Sequence, residues 1–495
     1  MKKVRDIFCV LLLLCTTMSC ENWLDVDPKT EIKSELMFQS VSGFKDALMG
    51  VYLTLRDPEL YGKEATWGFV DAIGQQTDIQ DQAAAYYNAS RYNYSQTSGV
   101  SDALWAKAFN AIVNLNNMLE NLDEQQNLFT PATYGVLKGE ALGLRAFLHF
   151  DLVRLFGWGN LAKKPENLEK LCMPYMTKYD KVLTKQLTVG EVLAHIEEDL
   201  LASIELLNNS DPYGLAPKSD DYDLPNEDKF FDNREKRFNY WAAVCTLTRV
   251  YMWMGRKGEA LTLATSFIDK GGRTSWIDSY TIDAYYEKDR DLTFSSEYLF
   301  GLSIEQYKDI TDSNLEFKLV ENQDNPQMFF HTAEIAAQLF EVEENIGSGD
   351  YRYKWLYAQG GDRFAFLKLK QYEKSIYGNR VPLMKKAEIY YTLAECLNEL
   401  GNESERQTGV GYLNTVRSKR NIPQALDVNM SKDELREEIQ KEWRKEMLLE
   451  GQMFYYYKRR GVSSIPRCNI TMTDQTYVLP LPQAELEFGG RENNK

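Results

Sequence analysis

The chain has 495 residues, 44% apolar and 13% aromatic, with 30 tyrosines and a formal charge of −16. That is enough apolar material for a substantial core, and the tyrosine surplus suggests amphipathic surfaces. The negative balance argues against nucleic acid and against an electrostatic grip on anionic lipid, because both need clustered Lys and Arg.

Met1-Lys2-Lys3-Val4-Arg5 forms a short basic start, and Ile7 to Cys15 is a mostly apolar run too short to span a bilayer. Thr17-Met18-Ser19-Cys20 follows, with a small residue directly before a cysteine. This resembles a bacterial lipoprotein signal. Residues 1–19 would be removed and Cys20 acylated; an ordinary secretory signal cleaved nearby is the alternative. No later run reaches the roughly 18 apolar residues of a membrane span, so the expected attachment is an acyl anchor. Residues 20–39 read as an extended tether, fixed locally by Pro28.

Helical patterns dominate from residue 40 onward. One covers 40–56 and another 101–122, where Leu104, Ala108, Ile112, Leu115 and Leu119 recur at spacings of three and four. Ser101 with Asp102 suggests its N-cap. A third pattern, 132–157, carries Leu144, Leu148, Leu152 and Leu155 on one face and Phe147, Phe150 and Phe156 on much of the rest. A helix apolar on most sides should be buried between neighbours. A fourth covers 188–207. Leu247, Tyr251, Gly255 and Ala260 then fall at the spacing of a tetratricopeptide helix pair, and Leu393, Ala394, Leu397 and Gly401 repeat part of it. Between them, about 270–385 mixes short strand-like runs such as Tyr298-Leu299-Phe300 with Gly, Asp and Asn. A stretch this long without helical periodicity is usually functional or elaborately folded. The fold class expected is mainly α: tetratricopeptide-like helix pairs as a scaffold, with an irregular loop-rich layer carrying short strands.

Four cysteines remain after Cys20. Cys245 and Cys396 lie on apolar helical runs and read as core thiols. The spacing suits neither a zinc site nor a compact disulfide framework, and a Cys172–Cys468 disulfide stays open. Three histidines make a His-based metal site improbable, so no metal or cofactor is expected. The sequence holds no HExxH, GxSxG, Walker A or CxxC motif. Paired carboxylates for glycoside hydrolysis remain an open alternative among 73 acids, although none stands out.

Several separated motifs resemble the SusD/RagB surface lipoproteins of Bacteroidota nutrient-uptake systems. They are the Cys20 signal with Trp23-Leu24-Asp25 and Pro28; "ALWAKAFNAIVNLNNML" with Trp105 and Asn114; "EALGLRAFLHFDLVRLFG" at 140–157; "AEIYYTLAECLNELG" at 387–401; "IQKEWRKEMLLEGQMF" at 439–454; and "YVLPLPQAELEF" at 477–488. Their order covers essentially the whole chain. The resemblance implies one domain over 40–495 with four tetratricopeptide-like helix pairs. It also implies an outer-membrane, cell-surface location and a SusC-like TonB-dependent transporter as partner. The cargo would be oligosaccharide, bound without turnover. A peptide-binding or purely structural lid of the same kind of transporter is the first alternative, and a helical glycoside hydrolase is a more distant one.

The chain departs from the family at one place. Where the family usually has Glu-Gly-x-Arg and then Asp, it has Glu450-Gly451-Gln452-Met453 and then Tyr456. An ion pair replaced at both ends together is physically sensible, because an apolar swap of both partners can be neutral. Arg444, Glu446 and Glu450 stand at spacings suited to charge pairs along a helix.

A sugar ring offers an apolar face and a polar rim, which planar aromatic and amide or carboxylate groups cover at low entropic cost. In starch-binding members of the family the site draws on two segments, matched here by Asp78 to Trp105 and by about 274–290. The ligand contacts expected are Asp78, Tyr86, Tyr87, Asn88, Trp276, Tyr285 and Tyr286. Tyr92 and Tyr94 are expected to pack on the scaffold near the Trp105 helix, and Trp67 in the core.

Overall fold

The computed structural model describes residues 34–271, 274–313, 330–360 and 363–494. The expected signal, Cys20 and the expected tether as far as residue 33 lie outside them; of the rest of that 20–39 tether, Ser34–Met37 is helical and Phe38 packs on Phe44. Ten helices carry the architecture: α1 Val41–Leu55, α2 Ser98–Glu124, α3 Pro131–Phe156, α4 Val189–Ser210, α5 Tyr240–Met254, α6 Lys257–Lys270, α7 Lys386–Leu400, α8 Glu403–Lys419, α9 Lys432–Glu446 and α10 Met453–Arg460. Each helix from α1 to α8 packs on the next in the chain, and α9 packs on α7. Helix α6 rests directly on α7 although 271–385 separates them in sequence. The helices therefore form one continuous repeat array, and the irregular segment is laid on it. Each pair buries the face its neighbour cannot cover alone.

Local chemistry explains the helix boundaries. Thr130 caps α3 through the Thr133 amide, and Pro131 follows at the first helical position. Thr188 with Glu191, Asn402 with Glu405 and Ser431 with Glu434 form reciprocal capping boxes on α4, α8 and α9. The α5–α6 turn passes through Gly255 at φ 77°, a left-handed position that suits glycine. Helix α2 starts earlier than its sequence suggests, at Ser98. Ser101 is inside it, its hydroxyl donating to the Ser98 carbonyl. A serine hydroxyl satisfied within the turn has no cap to supply.

Helix α3 is buried almost all round, as its apolar pattern requires. Gly135, Gly139 and Gly143 recur every four residues and face α4 and Phe238. A methyl group at Gly143 would lie 2.1 Å from a Phe238 ring carbon, and one at Gly135 would lie 2.1 Å from the Ser210 hydroxyl. Ser203 donates to the Gly139 carbonyl at 2.6 Å. Small residues here let two helix backbones approach, and larger ones would overpack the interface.

Two buried ionic clusters hold the irregular parts to the helices. Glu140 on α3 accepts from Arg234, Arg237 and Tyr52, and Arg234 also grips Asp211. This cluster fixes the 211–238 loop. In the second, Glu446 at the end of α9 accepts from Arg420 at 2.9 Å, from Lys385 at 2.7 Å and from Arg352 at 3.2 Å. Arg420 in turn holds Glu297 through two 2.7 Å bonds, and Glu297 accepts from the Ile277 amide. Glu450 joins through Lys368 and Lys385. The charge pairs expected along one helix are therefore corrected. Glu446 and Glu450 turn away from α9 and bind the layer. Met453 and Tyr456 are both buried; the Tyr456 ring lies 5.4 Å from Trp443, and its hydroxyl accepts from Arg460.

The layer holds two small antiparallel sheets. β1 (Tyr298–Ser303) pairs with β5 (Arg380–Lys385), with Leu302 opposite Val381. β2 (Phe330–Thr332), β3 (Tyr357–Gly360) and β4 (Arg363–Phe366) form the other, with β4 central. Cys172, Cys245, Cys396 and Cys468 are free thiols, so Cys172 and Cys468 are not paired. Among the described residues no helix is long and apolar enough to cross a membrane.

Candidate functional site

The first segment forms a polar cleft of about 110 Å³ beside the three-stranded sheet. Asp78 is half-buried in its wall and accepts from Gln80 at 2.6 Å. Arg91 lies across the cleft with its guanidinium 4.7 Å from the centre of the Tyr87 ring, donating to the Ser90 hydroxyl and the Ile79 carbonyl. Arg467 and Asn469 close the cleft from a distant part of the chain. Planar stacked groups and a carboxylate–amide pair thus meet at one surface depression.

Tyr86 corrects an expectation. Its ring is only 7% exposed, and its hydroxyl donates to the Glu64 carboxylate at 2.8 Å. A phenol that has found a buried carboxylate packs inward, since leaving either group unpaired would be costly. Tyr87 remains half-exposed. Asn88 is half-buried on the short Tyr87–Ser90 helix, where its carbonyl accepts from the Arg91 and Asn93 amides. Tyr92 and Tyr94 are buried on the scaffold, and the short Tyr94–Gln96 turn touches the Trp105 helix α2. Tyr92, at φ 56°, donates to the Ile73 carbonyl, and Tyr94 donates to the Thr476 carbonyl. Trp105 packs on Phe109 and Phe156. Trp67 is fully buried, donating to the Tyr307 hydroxyl at 2.9 Å.

The second segment is more open. Tyr280, Tyr285 and Tyr286 are 90%, 88% and 62% exposed. The Tyr285 and Tyr286 rings meet edge to face at 5.0 Å. The loop beneath them is held firmly. Trp355 donates to Asp283 at 2.6 Å, Arg290 stacks on Trp355 at 4.1 Å, and Ile277 and Ile282 are buried with Leu292, Phe294 and Leu356. Trp276 is half-buried against Tyr390 on α7 at 5.0 Å and helps to seat the loop. Three exposed aromatic rings on an anchored loop are a preorganised surface, because little side-chain entropy is lost when a flat ligand lies on them.

His331 on β2 faces the Gln76 carbonyl at 2.7 Å and the Tyr357 hydroxyl at 3.1 Å. A neutral ring satisfies both when Nε2 donates to Gln76 and Tyr357 donates to Nδ1. Burial holds its pKa well below the ordinary value. Tyr357 follows Leu356, which packs under the tyrosine loop. Sequence reasoning missed Arg91, Arg467 and Trp355. Arg467 reaches the cleft only through the folding of distant segments, and Tyr280 could have been found as part of the same aromatic run as Tyr285. Among the described residues no group of three or more His, Cys, Asp or Glu side chains could hold a metal ion.

The comparisons with known proteins follow this architecture. A family model described as "SusD family" matches residues 215–464. The chain belongs to the SusD family. A second model, described as "Starch-binding associating with outer membrane", matches residues 22–219 of this SusD-family chain. It is 25% identical to SusD-like protein P38 of Formosa agariphila, over 91% of this chain and 90% of that protein. A SusD superfamily protein from Bacteroides thetaiotaomicron shares its fold, with a TM-score of 0.69, 20% identity, and 92% and 100% of the two chains covered. A SusD-like carbohydrate binding protein from Bacteroides vulgatus does so at a TM-score of 0.67 and 17% identity, over 90% and 96%. The SusD-family array of helix pairs is thus common to proteins of very different sequence.

Proposed function

We propose that this protein is a cell-surface lipoprotein, tethered through acylated Cys20, that captures oligosaccharide and delivers it to a TonB-dependent outer-membrane transporter of the SusC type. In this reading residues 1–19 are the signal, 20–39 the tether and 40–495 one binding domain. The observation that carries the reading is the exposed Tyr280–Tyr285–Tyr286 surface in a SusD-family chain. The family description of starch binding and outer-membrane association supports it. Rings cover the C–H faces of sugars, while the Asp78–Arg91 cleft offers groups for hydroxyls. The protein binds and does not turn cargo over.

Calorimetric titration with a panel of neutral hexasaccharides and of peptides tests the cargo. Removing both rings in Tyr285→Ala/Tyr286→Ala is expected to weaken saccharide binding about tenfold or more, since a buried aromatic contact contributes roughly 1–2 kcal/mol. Peptide binding without saccharide binding would replace the cargo. Unchanged saccharide affinity would remove the tyrosine surface from the site, and steady release of cleaved sugar would make the protein an enzyme. For the anchor and partner, the tagged chain is expected to co-purify with a TonB-dependent barrel from detergent-solubilised outer membranes. Cys20→Ser should be missing from that membrane fraction; its undiminished presence there would refute acyl anchoring.

A further inference from the structure

The polar cleft carries an unusual charge. Gln75, Asp78, Ile79, Ser90, Arg91 and Arg467 line it. Every buried arginine among the described residues holds a carboxylate. Among those residues no carboxylate pairs with either arginine of the cleft. Arg91 donates to the Ser90 hydroxyl at 2.8 Å and to the Ile79 carbonyl at 3.3 Å, and Arg467 donates to the Gln75 carbonyl at 2.9 Å. These acceptors belong to the wall, so both guanidinium heads lie at the cleft. They also lie near each other, because Gln75 itself donates to the Ser90 carbonyl at 2.7 Å. A guanidinium has five N–H donors, so both heads keep donors that these bonds do not use.

The surrounding groups do not cancel this charge. Asp78 is the one acid in the lining, and its carboxylate accepts from Gln80. Arg444 on α9 adds a positive charge that Arg467 feels, and its Nε is buried without a partner among the described residues. Although Arg467 reaches solvent, the protein packed around its head and then the Arg444 charge lower its pKa. His331 stays neutral, because burial and then Arg467 hold its pKa far down. Three arginines thus face one acid, in a chain of formal charge −16. The distant negative charge is screened beyond about 8 Å at physiological salt, whereas a group touching the two guanidinium heads meets them directly. The backbone is strained here as well. Gln75 and Arg467 are non-glycine residues in the left-handed region, at φ 56° and 67°, and such positions cluster at ligand clamps. An arginine fork matches the paired oxygens of a carboxylate or a sulfate, and its bonds to an anion are stronger than those to a neutral hydroxyl. We infer that this cleft holds a carboxylate or sulfate group of the cargo, with Arg91 and Arg467 as the residues that set the preference for acidic over neutral oligosaccharide. The inference rests on the oligosaccharide reading.

The test titrates the full mature chain calorimetrically with neutral, uronic-acid and sulfated hexasaccharides of matched backbone, at low and at high salt. At low salt the better acidic sugar is expected to bind about tenfold or more tighter than the neutral one, and the gap should narrow as salt is added. A preference for the uronic acid assigns the cleft to a carboxylate, and one for the sulfated sugar assigns it to a sulfate. In Arg91→Gln/Arg467→Gln the ratio of acidic to neutral affinity should fall to about one. Arg467→Asn serves if the double variant does not fold, because asparagine tolerates the left-handed position; it should reduce the same ratio. Equal or tighter binding of the neutral sugar by the unmodified protein overturns the inference and leaves the oligosaccharide reading standing. An acidic preference that survives in the folded variants places the selection elsewhere and also overturns it. Failure of the unmodified protein to bind any of the three saccharides overturns both readings.

Discussion

Replacing Glu446 by alanine is expected to destabilise the protein by about 3–5 kcal/mol, one of the largest single-residue effects in the chain. Glu446 is fully buried and faces Arg352, Lys385 and Arg420, which are themselves buried. Arg352, Lys385 and Arg420 keep Glu442, Glu450 and Glu297, so removing the carboxylate leaves the cluster with one net positive charge that nothing compensates. The cost is that of uncompensated buried charge, well beyond the loss of one hydrogen bond. The effect should also reach the tyrosine loop, because Arg420 holds Glu297 and Glu297 holds the Ile277 amide. Urea denaturation of Glu446→Ala should therefore show a lower midpoint, and protease cleavage within 274–290 should appear first. Lys441→Ala is the control. Lys441 is partly exposed, and its pairs with Glu341 and Glu438 are expected to contribute less than about 1 kcal/mol. A Glu446→Ala protein within 1 kcal/mol of the wild type would show that the cluster does not anchor the layer.

The stability gap between wild type and His149→Gln is expected to narrow by about 2 kcal/mol as the pH falls from 6.5 to 5. His149 is buried on α3. Its Nε2 accepts from the Met176 amide, so its Nδ1 carries the proton given to the Arg145 carbonyl. Burial pushes its pKa down to about 3, from an ordinary 6.5. A base with a depressed folded-state pKa contributes stability that is present above 6.5 and is lost as the pH falls, until the folded form titrates near 3. Comparison with a variant is needed because Asp71 acts in the opposite direction. Burial raises its pKa to about 8, so the folded state takes up a proton as the pH falls below that value and gains stability down to about 3.8. Below about 4.5 a further loss sets in. Glu395, held down to about 2 against burial by Arg459, stays ionised in the folded protein while the unfolded chain takes up the proton, so stability falls until the folded form titrates near 2. A gap between wild type and His149→Gln that does not change with pH would mean that His149 titrates normally in the folded protein.

The sequence by itself determined the scaffold. Helices α1, α2, α3 and α4 lie within three residues of where apolar spacing, caps and turn glycines put them. Such signals are local: a face that recurs every three or four residues must be buried, whatever covers it. The family was legible for the same reason, because its motifs sit on those helices and in their connections.

The tertiary structure alone decided where the tyrosines go. Tyr86 and Tyr87 are adjacent in sequence, yet Glu64 captures one and Arg91 stacks on the other. The same holds for Glu446 and Glu450, whose helical spacing suggests one set of partners while the layer supplies another. A polar or aromatic side chain takes whichever partner the fold brings within about 3 Å, and that partner is often hundreds of residues away. Apolar periodicity carries its meaning within one helix. A hydroxyl or a carboxylate acquires its meaning only when the distant group opposite it is in place.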